Sequence, residues 1–368
     1  MSYLAAELAR TGHEVHVASF RGGPNLDRMR AAGVVWHRLV GDGGRGIFYG
    51  LLRPVRAFVA LLRLIGLMRR LRPDVVQTIL APMDVLGGAA ALLTRTPWVL
   101  KESSSALAYT IDRRYKIRFA FGRLSDAVVA NSAGGFEYWR AARGGRPLQL
   151  IPNGIPLGEI AESGSGRALD FAFGPEEKVV LYAGRVDLGK NVEDLIAALA
   201  RIADEVPFAA VICGDGTHRR RVERMARELG IADRVIFTGY VNSLWGLMKR
   251  ADAFVSMSRC EGRPNVVLEA MACGCPLVVS DIPAHREILD ERTALFAGPD
   301  DPEETAAALK ATLLRGDEAR SRAHAARARA AGWSVETMAR LYEQTYLGLL
   351  VDARASGREE TISDSKAA

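Results

Sequence analysis

The chain has 368 residues, of which 49% are hydrophobic and 25% are charged, with a formal net charge of +6. This composition is ordinary for a globular protein and excludes the intrinsically disordered and fibrous classes. The length suits two α/β domains of similar size, because a single hydrophobic core rarely grows this large.

The chain opens with a helical pattern rather than with a strand. Leu4 and Leu8 recur at helical spacing, and Thr11-Gly12 ends the pattern. Residues 13–18 then have a pattern typical of a strand. A doubly wound parallel domain normally begins with a strand and a glycine-rich turn that faces the ligand. We therefore expect the first strand and its turn to be missing from this domain.

The densest basic and apolar stretch covers residues 53–72, RPVRAFVALLRLIGLMRRLR. Arg56 and Arg63 interrupt its apolar run, which excludes a transmembrane helix. Such a helix can lie on an anionic membrane as a peripheral contact. The alternative, which we favour, is a domain helix that buries one face while its arginines extend into water. Basic residues elsewhere are scattered without an aromatic-basic recognition motif, so no nucleic acid partner is expected.

Helical and strand patterns alternate through the first half of the chain. Strands are predicted at residues 73–77, 98–100 and 127–130. Such alternation indicates a parallel sheet with helices on both faces. The turn at residues 152–154, Pro-Asn-Gly, follows an apolar segment and is a candidate domain junction.

The second half of the chain has the same alternation. Strands are predicted at residues 179–183, 209–212, 234–237, 253–255 and 276–279, with a helix at 192–203. Residues 303–332 and 334–350 have helical patterns, and the polar residues 352–368 are expected to form a frayed tail. The sequence therefore predicts a second parallel α/β domain.

The most informative segment is Glu261-Gly-Arg-Pro-Asn-Val-Val-Leu-Glu269, in which two carboxylates flank a proline and a predicted helix start. Pro264 suits the first turn of a helix, where the amides of Asn265 and Val266 would offer its positive end to a phosphate. Glu269 lies one helical turn further, where a carboxylate can accept hydrogen bonds from two sugar hydroxyls. Glu261, in the loop, would reach the space beyond the phosphates. A pair of glutamates alone is more often solvated surface charge.

A second cluster, Gly184-Arg185 and Lys190, directly follows a predicted strand. The glycine permits a tight turn, and the two cations can neutralise a diphosphate at the sheet edge where open α/β domains bind ligands. An exposed loop with two surface cations is the alternative.

Two further strand ends carry weaker signals. The turn that starts at Gly214 nearly matches the dinucleotide fingerprint G-x-G-x-x-G, but Arg219 stands where the third glycine would be. A tight turn beside a nucleotide is enough to explain this partial match. Tyr240 and Val241 follow another strand, where backbone groups could meet a nucleobase.

The cysteines lie in apolar or small-residue stretches and none has zinc-site spacing. They are Cys213, Cys260, Cys273 and Cys275. The last two lack the two-residue spacer of thioredoxin-type sites. We expect reduced, packed cysteines, no metal site and a cytoplasmic protein.

Four motifs, in this order, resemble those of the family 4 retaining glycosyltransferases, which have the GT-B fold. They are I-P-N-G at 151–154, G-R-x4-K at 184–190, G-D-G at 214–216 and Glu-x7-Glu at 261–269. The resemblance implies two Rossmann-like doubly wound domains facing across a cleft. Their expected bounds are 1–153 on the acceptor side and 154–332 for donor nucleotide binding, then a helix at 333–351 that can cross back and a disordered tail at 352–368.

The resemblance also implies an activity. The chain would transfer a sugar from a nucleoside-diphosphate sugar to a glycan or lipid-linked acceptor, with retention of anomeric configuration and without a metal or cofactor. Arg185 and Lys190 would hold the donor diphosphate, Glu269 the ribose hydroxyls, and Glu261, the candidate catalytic residue, the donor sugar near its reacting carbon. The remaining donor-binding residues would be Gly184, Gly214, Tyr240, Val241, Asn265 and Val266. The sequence contains no Asp-x-Asp, which agrees with metal independence.

The sequence departs from the family pattern in two places. The first strand with its glycine-rich loop is absent, and Lys101-Glu102-Ser103 stands where many members have a histidine. Glu102 could serve the acceptor side or belong to a structural loop. Two other functions stay open: a module that binds the nucleotide sugar without catalysis, and a sugar-nucleotide epimerase of the same architecture.

Overall fold

The computed structural model describes residues 1–23, 25–40, 53–103, 113–164, 174 and 176–355. The chain divides into two compact units. Unit 1 contains residues 1–154 and the helix that begins at Val335, and unit 2 is Ile155–Ser334. Residues 352–355 continue that C-terminal helix, so the expected fraying from residue 352 is wrong for them. The rest of the predicted tail lies outside the described residues.

Helices and strands alternate in unit 1. Its helices are α1 (Ser2–Arg10), α2 (Leu26–Ala31), α3 (Arg53–Leu71), α4 (Ala81–Thr94), α5 (Arg113–Gly122), α6 (Ala133–Arg140) and the C-terminal helix (Val335–Ala355). Its strands are β1 (His16–Ser19), β2 (Val35–Arg38), β3 (Val76–Ile79), β4 (Trp98–Glu102), β5 (Ala127–Ala130) and β6 (Leu148–Leu150). The first strand starts later than predicted, at His16.

The strands of unit 1 form parallel sheets with a core on both faces. β1 pairs with β2, and β3, β4, β5 and β6 form a four-stranded sheet in that order. Every residue of β4 and β5 is buried. Because successive strand residues point to opposite faces, Val99 joins one core cluster and Leu100 the other. Met338 and Tyr342 of the C-terminal helix pack into the first cluster with Leu4 of α1.

Glu102 is the last residue of β4 and not part of a loop. It is fully buried, its carboxylate pairs with Arg118, and it accepts a hydrogen bond from Trp139 Nε1 at 2.8 Å. Arg118 also pairs with Asp84, whose pKa burial raises to about 6. Enclosed in this way, the Glu102 carboxylate joins β4 to α5 and α6, and Arg118 extends the cluster to α4 through Asp84. Its role in this structure is structural.

Lys101, beside Glu102, is also buried, at 3% exposure. Its Nζ donates a hydrogen bond to Asn153 Oδ1 at 3.1 Å. Burial lowers the pKa of Lys101 to about 8, because desolvation disfavours the charged ammonium group.

Unit 2 continues the alternation. Its helices are α7 (Leu157–Glu162), α8 (Val192–Ile202), α9 (Arg219–Glu228), α10 (Trp245–Arg250), α11 (Asn265–Cys273), α12 (Pro283–Arg286), α13 (Pro302–Leu314) and α14 (Gly316–Ala330). A short 3₁₀ helix covers Ala232–Arg234. Its strands are β7 (Lys178–Ala183), β8 (Phe208–Cys213), β9 (Val235–Gly239), β10 (Ala253–Ser256), β11 (Leu277–Ser280) and β12 (Leu295–Ala297).

The sheet of unit 2 is parallel throughout, with the strand order β12-β11-β10-β7-β8-β9. Its core has two faces. Leu195 of α8 and Leu309 of α13 pack on one face, and Leu268 and Met271 of α11 pack on the other. Helices on both faces of a parallel sheet make unit 2 a doubly wound domain, which confirms the predicted α/β class.

All four cysteines are free, and three of them are packed as expected. Cys213, Cys273 and Cys275 are buried, and burial raises the pKa of the Cys273 thiol to about 12. Cys260 is half-exposed, so the expectation of a packed side chain is wrong there.

Candidate functional site

The site is built from loops at the carboxyl edge of the unit 2 sheet. The chain runs outward from β7 through β8 to β9, then returns to pair β10 with the other side of β7. Loops diverge at such a switch point, and open α/β sheets bind ligands in the crevice between them. Arg185 and Lys190 follow β7, and Glu261 follows β10, so both predicted clusters meet at this point.

Glycine allows the loops after β7 and β8 to approach each other closely. Gly184 N donates to Cys213 O at 2.9 Å, and Gly214 N donates to Gly239 O at 2.7 Å. Gly214 has φ +142°, and a Cβ atom there would overlap the carbonyl group of Gly184. This edge of the sheet therefore requires glycine at position 214, independently of any ligand.

Lys190 and Glu261 form an ion pair at the switch point. Lys190 Nζ contacts Glu261 Oε1, and the side chains are 19% and 12% exposed. Ser258 is buried, and its Oγ donates to the same carboxylate oxygen at 2.8 Å. Arg259 N donates to Gly189 O at 2.9 Å, which joins the two loops through their backbones. Because water screens this pair poorly, its interaction is stronger than that of a surface pair.

Arg185 is much more exposed than Lys190. Its side chain is 78% exposed and pairs with Asp187 at 2.9 Å. Its backbone is held, because Tyr182 Oη donates to Arg185 O at 2.6 Å. Burial raises the pKa of Tyr182, so this hydroxyl keeps its proton. A surface ion pair of this kind contributes little, and the guanidinium can exchange Asp187 for a ligand at small cost.

Helix α11 begins at the site. Pro264 occupies its N-cap position with φ −80°. Asn265 and Val266 are the first two residues of the helix, and a helix carries the positive end of its dipole at this terminus. Glu269 lies one turn further, and its Oε2 accepts a hydrogen bond from Trp245 Nε1 at 3.0 Å.

Tyr240 and Val241 lie at the other end of this edge, beyond β9. Tyr240 is exposed, and Val241 is partly buried against the core of unit 2. The predicted residues thus share one sheet edge. Lys190 and Glu261 pair there through their side chains, and Gly184 and Gly214 approach each other through their backbones.

Three supporting residues were not predicted from the sequence: Trp245, Ser258 and His285. His285 is fully buried, with Nδ1 2.8 Å from Ser280 O, and burial lowers its pKa. Ser280 Oγ donates in turn to Ser258 O at 2.6 Å. This chain of contacts supports the loop that carries Glu261. No local pattern indicates it, because each contact joins residues on different elements.

The arrangement is suited to a diphosphate attached to a polyol. Cations and a helix N-terminus favour the phosphates, and two carboxylates can accept hydrogen bonds from hydroxyl groups. Within the described ranges, no group of three or more His, Cys, Asp or Glu side chains is arranged to hold a metal ion.

Two family profiles match adjacent parts of the chain. The family described as "Glycosyltransferase Family 4" matches residues 1–159, and "Glycosyl transferases group 1" matches residues 170–329.

Three known proteins illustrate the similarity. The Campylobacter jejuni N-acetylgalactosamine-N,N'-diacetylbacillosaminyl-diphospho-undecaprenol 4-alpha-N-acetylgalactosaminyltransferase is 29% identical over 53% of this chain and 53% of its own length. Glycogen synthase of Mycobacterium tuberculosis is 36% identical over 47% of this chain and 43% of its own. The chain thus spans about half the length of these relatives. Anabaena HepE, solved with UDP and glucose, superposes with a TM-score of 0.77 at 20% identity over 94% of this chain and 95% of its own. That likeness shows the fold, two Rossmann-like domains of the GT-B type.

Proposed function

Because this chain belongs to the family 4, group 1 glycosyltransferases, we propose that it transfers a sugar from a nucleoside-diphosphate sugar to a glycan or lipid-linked acceptor. The observation that carries the proposal is the Lys190–Glu261 ion pair at the switch point of unit 2, on the sheet edge where α11 begins. A diphosphate requires cations and amides, and a sugar requires hydrogen-bond acceptors. One sheet edge offers both.

In the proposed complex, the donor diphosphate is bound by two cations and a helix end. Lys190 supplies a positive charge from within the site, and Arg185 turns from Asp187 toward the phosphate oxygens. The amides of Asn265 and Val266 donate to the same group. When the bond between the sugar and the diphosphate breaks, these groups stabilise the negative charge that develops on the leaving oxygen.

The nucleoside part of the donor is proposed to lie along the same edge. Glu269 accepts hydrogen bonds from the ribose hydroxyls, and the contact from Trp245 fixes the orientation of its carboxylate. Gly184 and Gly214 form the tight turns against which the donor is proposed to lie. The backbone of Tyr240 and Val241 faces the nucleobase.

Glu261 is proposed to hold the donor sugar near its reacting carbon. Lys190 and Ser258 both contact its Oε1, which orients the carboxylate. In the transfer, the acceptor oxygen bonds to the anomeric carbon and loses its proton, while the nucleoside diphosphate leaves with the electron pair of the broken C–O bond. We propose that anomeric configuration is retained and that no metal ion or cofactor takes part. Glu261 is assigned to sugar binding and not to nucleophilic attack.

The relatives support both acceptor classes. The C. jejuni relative is named for a diphospho-undecaprenol acceptor, and the M. tuberculosis relative for glycogen synthesis. We propose a cytoplasmic location, which agrees with four unpaired cysteines.

The test is a donor panel. UDP-, GDP- and ADP-sugars are incubated with the protein, with and without glycan and polyprenyl-diphosphate acceptors, and nucleotide release is measured. The proposal expects release that depends on one donor and one acceptor class and that Lys190→Ala abolishes. Nuclear magnetic resonance of the product then reports its anomeric configuration.

The two alternatives predict different outcomes of the same panel. A binding module would bind a nucleoside diphosphate tightly without releasing nucleotide from any donor. An epimerase would isomerise the donor in the absence of an acceptor. Either outcome would replace the transferase assignment while leaving the donor site intact.

A further inference from the structure

Helix α3 has two apolar faces. Leu64 and Met68 are buried in the core of unit 1. Val55, Phe58 and Leu62 are instead 55%, 61% and 52% exposed. Their spacing of three and four residues places them on one face of the helix. A helix that served only the core of unit 1 would carry polar side chains at these positions.

The exposed face of α3 becomes basic toward its C-terminal end. Arg69 follows Leu62 by two helical turns and lies on the same face, with Arg70 next to it, and both are exposed. No acidic residue occurs in the helix. Because an α-helix rises about 1.5 Å per residue, this face extends for roughly 20 Å from Val55 to Arg69. We call Val55, Phe58, Leu62, Arg69 and Arg70 the α3 stripe.

We propose that the α3 stripe docks unit 1 on an anionic membrane surface. The apolar end would enter the boundary between headgroups and acyl chains, and the arginines would bind lipid phosphates. The helix would lie tilted, with Val55 and Phe58 deeper than Arg69. The favoured domain helix is confirmed, because Leu64 and Met68 bury one of its faces in the core of unit 1. The proposal adds a role for the second apolar face, which is exposed.

Charge favours a membrane over a second copy of the chain. In a twofold dimer built on this stripe, the arginines of one copy would face either the arginines or the apolar end of the other. Both arrangements desolvate guanidinium groups without a counter-charge. An anionic bilayer supplies phosphates beside a hydrocarbon layer and satisfies both halves of the stripe.

The docking is peripheral. Among the described residues, no helix combines the length and the apolarity that crossing a bilayer requires. The inference goes beyond the proposed sugar transfer and does not depend on it, because every residue of the stripe belongs to unit 1 and the donor site lies in unit 2.

The test is vesicle flotation of the full chain. One set of vesicles contains phosphatidylcholine alone, and the other contains phosphatidylcholine and phosphatidylglycerol in equal parts. We expect flotation with the anionic vesicles only. The double variants Phe58→Ser/Leu62→Ser and Arg69→Gln/Arg70→Gln should each lower the partition coefficient by about tenfold.

Matched controls distinguish binding through the α3 stripe from nonspecific hydrophobic or electrostatic binding. Leu347→Ser removes an apolar side chain that is 54% exposed on the C-terminal helix of the same unit. Arg224→Gln/Arg227→Gln removes two exposed arginines from α9. Both controls should float like the unmodified protein, and circular dichroism should show all variants folded.

Three outcomes would overturn the inference. They are a lack of binding to anionic vesicles, an equal loss of binding in the controls, and a dimer in size-exclusion chromatography that the Phe58→Ser/Leu62→Ser variant alone dissociates. The last outcome would assign the stripe to a second copy.

Discussion

Replacing Lys190 by alanine removes the least exposed cation of the proposed donor site. Its side chain is 19% exposed and faces Glu261, which is 12% exposed. A hydrogen bond from a charged donor contributes about 1.5–3 kcal/mol. The variant also leaves the Glu261 carboxylate unpaired beside the incoming phosphates. We therefore expect Lys190→Ala to weaken nucleoside diphosphate binding by about 3 kcal/mol, a hundredfold or more in Kd.

The assay is isothermal titration calorimetry with UDP, GDP and ADP, using whichever binds tightest. Lys178→Ala is the matched control, because it makes the same change in net charge within unit 2. Lys178 pairs with Asp252 at 3.6 Å and is 43% exposed, so its removal should change the Kd less than about threefold. Glu261→Gln keeps Lys190 in place and should bind the diphosphate at least as tightly as the unmodified protein.

Loss of binding through misfolding can be separated from loss of the cation. Lys190→Ala leaves a partly buried carboxylate without its partner, which also lowers the stability of unit 2. The double variant Lys190→Ala/Glu261→Gln removes that charge and should recover thermal stability but not diphosphate binding. If Lys190→Ala binds like Lys178→Ala, Lys190 does not contact the diphosphate and the site assignment fails.

Three further changes test other parts of the structure. Trp245→Phe should raise the Kd for a nucleoside diphosphate about fivefold by releasing Glu269, but leave the binding of pyrophosphate, which lacks a ribose, unchanged. Gly214→Ala should lower stability by about 2 kcal/mol or more in thermal denaturation, because its Cβ overlaps the neighbouring loop. Gly158→Ala, in open space within α7, should instead leave stability unchanged or raise it by up to about 1 kcal/mol. The pKa of Lys101 is about 8 in the folded protein and 10.5 in the unfolded chain. Burial of the charged ammonium group therefore lowers the free energy of unfolding by its full amount below pH 8, and this loss disappears as the pH rises to 10.5. Relief of this loss is worth about 3 kcal/mol at pH 7, and loss of the hydrogen bond to Asn153 costs about 1 kcal/mol. Lys101→Met should therefore raise the melting temperature at pH 7 by the equivalent of roughly 2 kcal/mol. A gain that persists undiminished at high pH would contradict this account.

The order of helices and strands was predictable from the sequence, because hydrophobic periodicity is a local property of the chain. The predicted strand at 179–183 is β7 (Lys178–Ala183), and the predicted helix at 192–203 is α8 (Val192–Ile202). The observed ends of elements differ from the predicted ones where helix capping or strand pairing sets them. The strand predicted to begin at residue 13 begins at His16, where β1 first pairs with β2.

Local pattern was insufficient for Glu102. Its position after an apolar run was consistent with a loop, and its carboxylate with an acceptor site. The structure buries it at the end of β4 with Arg118 and Trp139. These partners come from α5 and α6, and nothing in the sequence near residue 102 indicates that those helices close over it.

The sequence alone determined the residue types of the donor site and their place after particular strands, since strand ends, turn glycines and a helix-starting proline are local features. Only the tertiary structure decided which of them meet. Lys190 and Glu261 are 71 residues apart and touch because β10 returns to pair with β7. The same holds for the contact of Trp245 with Glu269 and for the exposure of Val55, Phe58 and Leu62. Contact and exposure depend on how elements that are distant in sequence pack on a sheet.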